Sequence, residues 1–156
     1  MQTGLLHLHN ITRWIILILL VVSIFKAFTG WQQKKVFTAG DKRVWLFTLI
    51  FAHTTFLVGL YLVLAGRYGI LHTTIPEGQS FMKDKFLRFF WLEHPLLMLI
   101  SIILITVGYG MAKKPVADVV KFKKAFWFFL IALILILAAI PWPGREIVAR
   151  PLFPGM

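Results

Sequence analysis

Four long, uninterrupted apolar runs constrain this chain more than any other feature of its sequence. The runs cover about 5–27, 44–66, 89–112 and 124–141. Each is close to the roughly 20 apolar residues that a helix needs to cross the hydrocarbon core of a bilayer. Because no water is available there, every backbone polar group must be paired within its own segment, which favours helices over strands. The sequence therefore predicts an all-α integral membrane protein, a single membrane domain over 1–156 built as a four-transmembrane-helix up-down bundle.

The formal net charge of +11 at first suggests nucleic-acid binding, but the positions of the cations argue against it. Ten of the seventeen Lys and Arg residues lie in the two connections 26–43 and 113–124. Short loops rich in Lys and Arg remain in the cytoplasm, where they also contact anionic lipid head groups. We therefore expect a multi-pass membrane protein whose partner is the lipid bilayer, with these two connections in the cytoplasm and no nucleic acid bound. Both termini, the loop 67–88 and the tail 142–156 are expected on the outer side.

The absence of cysteine removes several kinds of site from consideration. It excludes a disulfide framework, a thiolate-bound iron–sulfur cluster and a CxxCH haem attachment. The chain also lacks a nucleophile paired with a base, and it lacks a phosphate-binding loop. These observations favour an electron-transfer protein or a subunit of a complex over a stand-alone enzyme.

Ionisable side chains inside the apolar runs mark the candidate site. His9 and Arg13 lie in the first run, His53 lies near the middle of the second, and Glu93 and His94 stand at the start of the third. Such residues are costly in a membrane, and their usual interpretation is functional. The proline that follows His94 withholds a backbone donor and disturbs the helix there.

Helix geometry predicts which of these side chains share a depth. At 1.5 Å per residue, His9 and His94 lie about 24 and 25 Å above the inner ends of their helices, whereas His53 lies about 14 Å above. Arg13 is one turn from His9 and on the same face. In an up-down bundle the first and third helices are diagonal neighbours. We therefore expect His9 and His94 at one level near the outer face, with His53 deeper.

Paired imidazoles in a membrane favour haem. A neutral imidazole is tolerated there, and the iron of haem takes one ring nitrogen from each side. The sequence predicts His94 as one axial ligand, with either His9 or His53 opposite: common depth favours His9, and a neighbouring helix favours His53. Arg13 is expected to hold a propionate, and Glu93 to neutralise Arg13, to accept a proton or to hydrogen-bond an imidazole. The competing interpretation is that these histidines only link helices by hydrogen bonds.

Several short motifs along nearly the whole chain resemble a known family. They are His7-Leu8-His9 with Arg13-Trp14, Ala52-His53 with Gly59-Leu60-Tyr61, Glu93-His94-Pro95 with Met98-Leu99-Ile100, Gly108-Tyr109-Gly110 with Lys113-Lys114, and Arg150-Pro151 with Phe153-Pro154-Gly155. The chain resembles small bacterial four-helix membrane proteins of the cytochrome b or cytochrome b-like type. That resemblance implies a haem b protein of the bacterial inner (cytoplasmic) membrane, working in electron transfer in or beside a respiratory or quinone-linked complex. By motif it implies the same five site residues, His9, Arg13, His53, Glu93 and His94.

Three functions remain open at this stage. The first is haem-based electron transfer in or beside a respiratory or quinone-linked chain. The second is a non-catalytic integral subunit of a larger membrane complex, or of a homo- or hetero-oligomer, in which the His/Arg/Glu cluster is structural. The third is copper or quinone binding at the same cluster. Met98 and Met111 lie far apart, which weighs against Cu(I) because that ion prefers soft sulfur ligands.

Overall fold

A computed structural model describes residues 2–153 of the chain, and within them it contains helices and no strand. The α-helices are α1 (Gln2–Gln32), α2 (Ala39–Ala65), α3 (Lys85–Arg88), α4 (His94–Gly110) and α5 (Asp118–Ala139). Four continuous helical segments are long and apolar enough to cross a membrane: Thr3–Gln32, Ala39–Ala65, Lys85–Lys113 and Asp118–Ala139. This confirms the all-α prediction with four such helices and indicates a multi-pass membrane protein. The Pro154-Gly155 motif lies outside the described residues.

The helices extend beyond the apolar runs, because backbone hydrogen bonding does not stop where hydrophobic residues stop. The clearest case is the start of α2, which the apolar run placed near 44. Thr38 caps this helix: its Oγ1 accepts from the Asp41 amide at 3.2 Å, and the Asp41 carboxylate accepts from the Thr38 amide at 3.0 Å. This reciprocal capping box starts α2 at Ala39. The basic connection 26–43 is therefore mostly helical, and only 33–38 lies between α1 and α2.

The four long helices form a square in which neighbours run antiparallel. α1 packs against α2 and α5, and α4 packs against the same two helices. A buried hydrogen bond of 2.8 Å joins Ser23 to Thr48, and an ion pair of 2.8 Å joins Lys26 to Asp41, so α1 and α2 run in opposite directions. α1 and α4 are consequently diagonal.

The two ends of the bundle differ in what fills them. The end that holds the connections 33–38 and 111–117, here called the basic end, contains fully buried aromatic side chains: Trp45 packs on Phe122 and Phe129. Bulky rings pack tightly there because Gly30 of α1 faces Phe122, where a Cβ would lie 2.6 Å from the ring. The opposite end, formed by 66–84 and 140–153, is here called the histidine end, because His9 and His94 lie there.

The C-terminal tail crosses the histidine end and packs on α1. The Leu152 carbonyl accepts hydrogen bonds from Arg13 Nη2 at 2.7 Å and from Trp14 Nε1 at 2.9 Å. Phe153 stacks on the Trp14 ring, with the centroids 5.6 Å apart. The tail is thereby anchored at the level of the candidate site.

Candidate functional site: a histidine pair at one end of the bundle

A wide turn of helix delivers His94 to the bundle interior. Residues Phe89–Glu93 form a π-helix, in which the His94 amide donates to the Phe89 carbonyl five residues earlier. Pro95 follows directly, and a proline clashes with the carbonyl four residues before it. Widening the turn ahead of Pro95 accommodates that clash, and π-turns of this kind are frequent at functional sites.

His9 and His94 meet across the diagonal of the bundle. Their ring centroids are 6.3 Å apart and their planes are inclined by 71°. The prediction that these two side chains share a level near one end of the bundle agrees with this contact. His94 also packs against the ring of Phe89, at a centroid distance of 5.9 Å. Both imidazoles are partly buried.

Each imidazole of the pair is held by a backbone carbonyl of a neighbouring helix. His9 Nδ1 donates to the Thr55 carbonyl on α2 at 3.2 Å, and His94 Nδ1 donates to the Ala139 carbonyl on α5 at 2.8 Å. A carbonyl oxygen only accepts, so Nδ1 carries the hydrogen and the Nε2 of each neutral ring keeps its lone pair. Within residues 2–153 neither Nε2 makes a hydrogen bond. The arrangement leaves one free nitrogen lone pair on each of two neighbouring rings.

The tautomers and spacing of the pair match those of metal-bound imidazoles. Ligating histidines usually donate their other ring N–H to a carbonyl or carboxylate, which fixes the ring and its tautomer. Two imidazoles on opposite sides of one metal ion have centroids about 6 Å apart, since each metal–nitrogen bond is about 2 Å long. The hydrogen bonds at Nδ1 and the centroid separation of the pair are therefore those expected of two imidazoles that share one metal ion.

Small residues lie beside His9, whereas the ring of Phe89 packs on His94. Gly59 faces His9 directly: a Cβ there would lie 3.0 Å from His9 Cε1. Thr55 and Ala139, whose carbonyls hold the imidazoles, are small and buried, and so is Thr12, whose hydroxyl donates to the His9 carbonyl. Thr55 Oγ1 is buried without a hydrogen-bond partner among the described residues.

Arg13 lies beside the pair and binds the tail. Its Nη2 donates to Asn10 Oδ1 at 2.6 Å as well as to the Leu152 carbonyl, and its guanidinium lies 5.3 Å from the centroid of Trp14. Arg13 Nε is buried with no partner in the described part of the chain. A buried cationic donor that is only partly satisfied suits a carboxylate ligand.

Glu93 is turned away from the site. Its carboxylate pairs with Arg88 Nε at 2.7 Å, and its side chain is 41% exposed. It lines a surface cavity of about 390 Å³ together with Arg88 and Arg145. The structure thus gives Glu93 a partner other than Arg13 or the imidazoles.

His53 is also outside the pair. It is exposed on the outer surface of α2, where its Nδ1 donates to the Leu49 carbonyl of its own helix at 2.9 Å. Of the two histidines predicted opposite His94, the structure places His9 in contact with it and leaves His53 outside. His7 is partly buried and His72 is exposed, and neither joins the site.

Sequence reasoning missed the groups that hold the imidazoles. Thr55 and Ala139 act through backbone carbonyls, which every residue has, so no residue type indicates them. No group of three or more His, Cys, Asp or Glu side chains able to hold a metal ion exists within 2–153. Haem does not need such a group, because the porphyrin supplies the equatorial ligands.

The fold and site together define a four-helix, membrane-type bundle with a paired-histidine site at one end. The chain matches no protein-family model, no curated protein and no solved structure.

Proposed function

We propose that this protein binds one haem b between His9 and His94 and transfers electrons in a bacterial inner membrane. The observation that supports this most directly is the shared state of the two imidazoles. The two rings come from α1 and α4, which are diagonal to each other in the bundle. Each ring donates its Nδ1–H to a carbonyl and keeps an unpaired Nε2. The centroid separation of 6.3 Å is close to that of two imidazoles bound to one metal ion, which supports ligation by both rings.

The surrounding residues have distinct parts in this proposal. When bound, haem supplies one-electron redox chemistry. His9 and His94 would hold the haem iron, and the Thr55 and Ala139 carbonyls would fix the orientation and tautomer of the two rings. Arg13, one helical turn from His9, would neutralise a carboxylate of the haem through its guanidinium. Gly59 and the small side chains of Thr55 and Ala139 add little side-chain volume beside the two imidazoles.

The route to a partner runs through Phe89. This buried ring contacts His94, and the Arg145 guanidinium lies 4.9 Å from its centroid. Arg145 lines the surface cavity at the histidine end. We propose that a respiratory complex or a quinone exchanges electrons at this end. The basic connections 26–43 and 113–124 then face the cytoplasm, following the positive-inside rule.

A purely structural pair is the second candidate, and one observation favours it. The two hydrogen bonds of the imidazoles tie α1 to α2 and α4 to α5. A non-catalytic subunit of a membrane complex would use histidines in this way. Such a protein would be colourless. Replacing either histidine would lower its stability and would not change its absorption spectrum.

The test is a reduced-minus-oxidised spectrum of the protein produced in haem-replete membranes and then purified. We expect a b-type spectrum that disappears in H9A and in H94A. The matched control is H53A, which removes an imidazole outside the pair and should leave the spectrum intact. A colourless wild-type protein, or a spectrum lost only in H53A, would rule out the proposed ligation.

A further inference from the structure

The outward face of α2 carries two polar side chains in the middle of an otherwise apolar surface. His53 and Thr54 are both exposed and lie close to the midpoint of Ala39–Ala65. In a membrane-spanning helix the midpoint lies in the hydrocarbon core, where polar side chains facing lipid are costly. A partner that satisfies them removes that cost.

The two side chains offer opposite hydrogen-bonding groups. His53 Nδ1 donates to the Leu49 carbonyl, so its Nε2 is an acceptor that points away from that bond. The Thr54 hydroxyl has no hydrogen bond to any of residues 2–153, so it remains a free donor. One acceptor and one donor therefore lie side by side at the same depth.

Apolar residues above and below this pair repeat at the spacing of parallel packed helices. Ile50, Leu57 and Leu64 are seven residues apart and are 46%, 65% and 42% exposed. A repeat of 3.5 residues keeps one stripe of a helix against a parallel partner. His53 and Thr54 lie within this stripe, between Ile50 and Leu57.

We infer that α2 is the self-association face of this protein and that its occupant is a second copy of the same chain. Two copies inserted with the same sidedness are related by a two-fold axis along the membrane normal, which makes their α2 helices parallel and sets equal residues level. Thr54 of each copy then donates to His53 Nε2 of the other. The face is complementary to itself, which a surface built for a different protein need not be.

This inference is independent of the haem proposal, because His9 and His94 lie inside the bundle and take no part in it. The natural absence of cysteine provides a clean test. L57C places one thiol in the centre of the stripe, where a two-fold contact brings equal residues within disulfide reach. Oxidation in native membranes should convert this variant to a dimer of twice the chain mass. I134C is the control, because Ile134 is 57% exposed but lies on α5.

Absence of a dimer from L57C, an equal yield from I134C, or a cross-link to a different protein would each overturn the inference. The polar pair is tested on the L57C background with H53L and T54V combined, which should weaken the dimer about tenfold through loss of two interhelical hydrogen bonds. T106V is the matched control: Thr106 is also exposed, but its hydroxyl donates to the Ile102 carbonyl at 2.7 Å. H53N retains an acceptor and should retain cross-linking. Unchanged cross-linking in the double variant would contradict the hydrogen-bonded interface.

Discussion

His9 and His94 lie on diagonal helices, yet their imidazole centroids are only 6.3 Å apart and each ring is anchored to a third or fourth helix. The pair therefore connects all four long helices of the bundle at one point. Any change in the packing of those helices alters the orientation of both rings. The expected consequences can be measured separately for the site and for the rest of the fold.

The first consequence concerns Gly59, the residue that faces His9. In G59A the new methyl group would lie 3.0 Å from His9 Cε1, so the imidazole or α2 must shift. We expect weaker haem retention in G59A and loss of the b-type spectrum in G59V. The control is G110A, because nothing lies within 4 Å of a Cβ at Gly110. An unchanged spectrum in G59V would show that the position of His9 does not govern haem binding.

The charge of Arg13 should tune the redox potential. Removing a cation near the haem favours the ferric form, which carries one more positive charge, so R13Q is expected to have a lower midpoint potential. R13K retains the charge and should stay nearer the wild type. The measurement is a redox titration of the b-type absorbance, with R67Q as a control in the exposed loop. An equal potential in R13Q and wild type would limit Arg13 to anchoring the tail.

Trp45 should carry much of the stability of the basic end. It is 0% exposed and packs against Phe37, Phe122 and Phe129. Truncation to alanine leaves a large cavity, and we expect W45A to lower the free energy of unfolding by about 3–5 kcal/mol. Thermal unfolding in detergent, followed by circular dichroism, measures the loss. W127A is the comparison, since Trp127 is 50% exposed, and a similar loss there would contradict the packing argument.

Asp41 joins the start of α2 to α1. Its carboxylate accepts from Lys26 at 2.8 Å and from the amide and hydroxyl of Thr38. D41N removes the charge that pairs with Lys26, and we expect a loss of about 1–3 kcal/mol in the same unfolding measurement. D84N makes the same chemical change at the cap of the short α3 and should cost less. Equal losses would mean that the ion pair contributes nothing beyond the cap.

The depths of the candidate residues were predictable, and their directions were not. Depth along a helix follows from the rise per residue, which is the same for any sequence. That is why the sequence already put His9 and His94 at one level. Direction depends on how a helix is rotated about its axis, and a helix that is apolar on all sides gives no indication of its inward face. The sequence therefore did not indicate that His53 would point outward while Ala52 and Thr55 point inward.

Glu93 illustrates a second limit of the sequence. The next residue in the chain, His94, points into the bundle. The π-helix of Phe89–Glu93 rotates the side chains that precede His94 relative to an α-helix. Glu93 pairs with Arg88 as a result. The sequence contains Pro95, which predicts a disturbance, but not the size of the turn that relieves it.

What the sequence determined by itself is the set of local properties: four apolar helices, the distribution of positive charge between their ends, and two histidines at a common height. These follow from hydrophobicity and from fixed helical geometry. Only the tertiary structure decided that His94 meets His9 and not His53. It also decided that the Thr55 and Ala139 carbonyls hold the two rings and that the tail binds Arg13. Each of these depends on contacts between segments far apart in the chain. Every residue has a backbone carbonyl, so no residue type in the sequence indicates which carbonyl accepts a hydrogen bond.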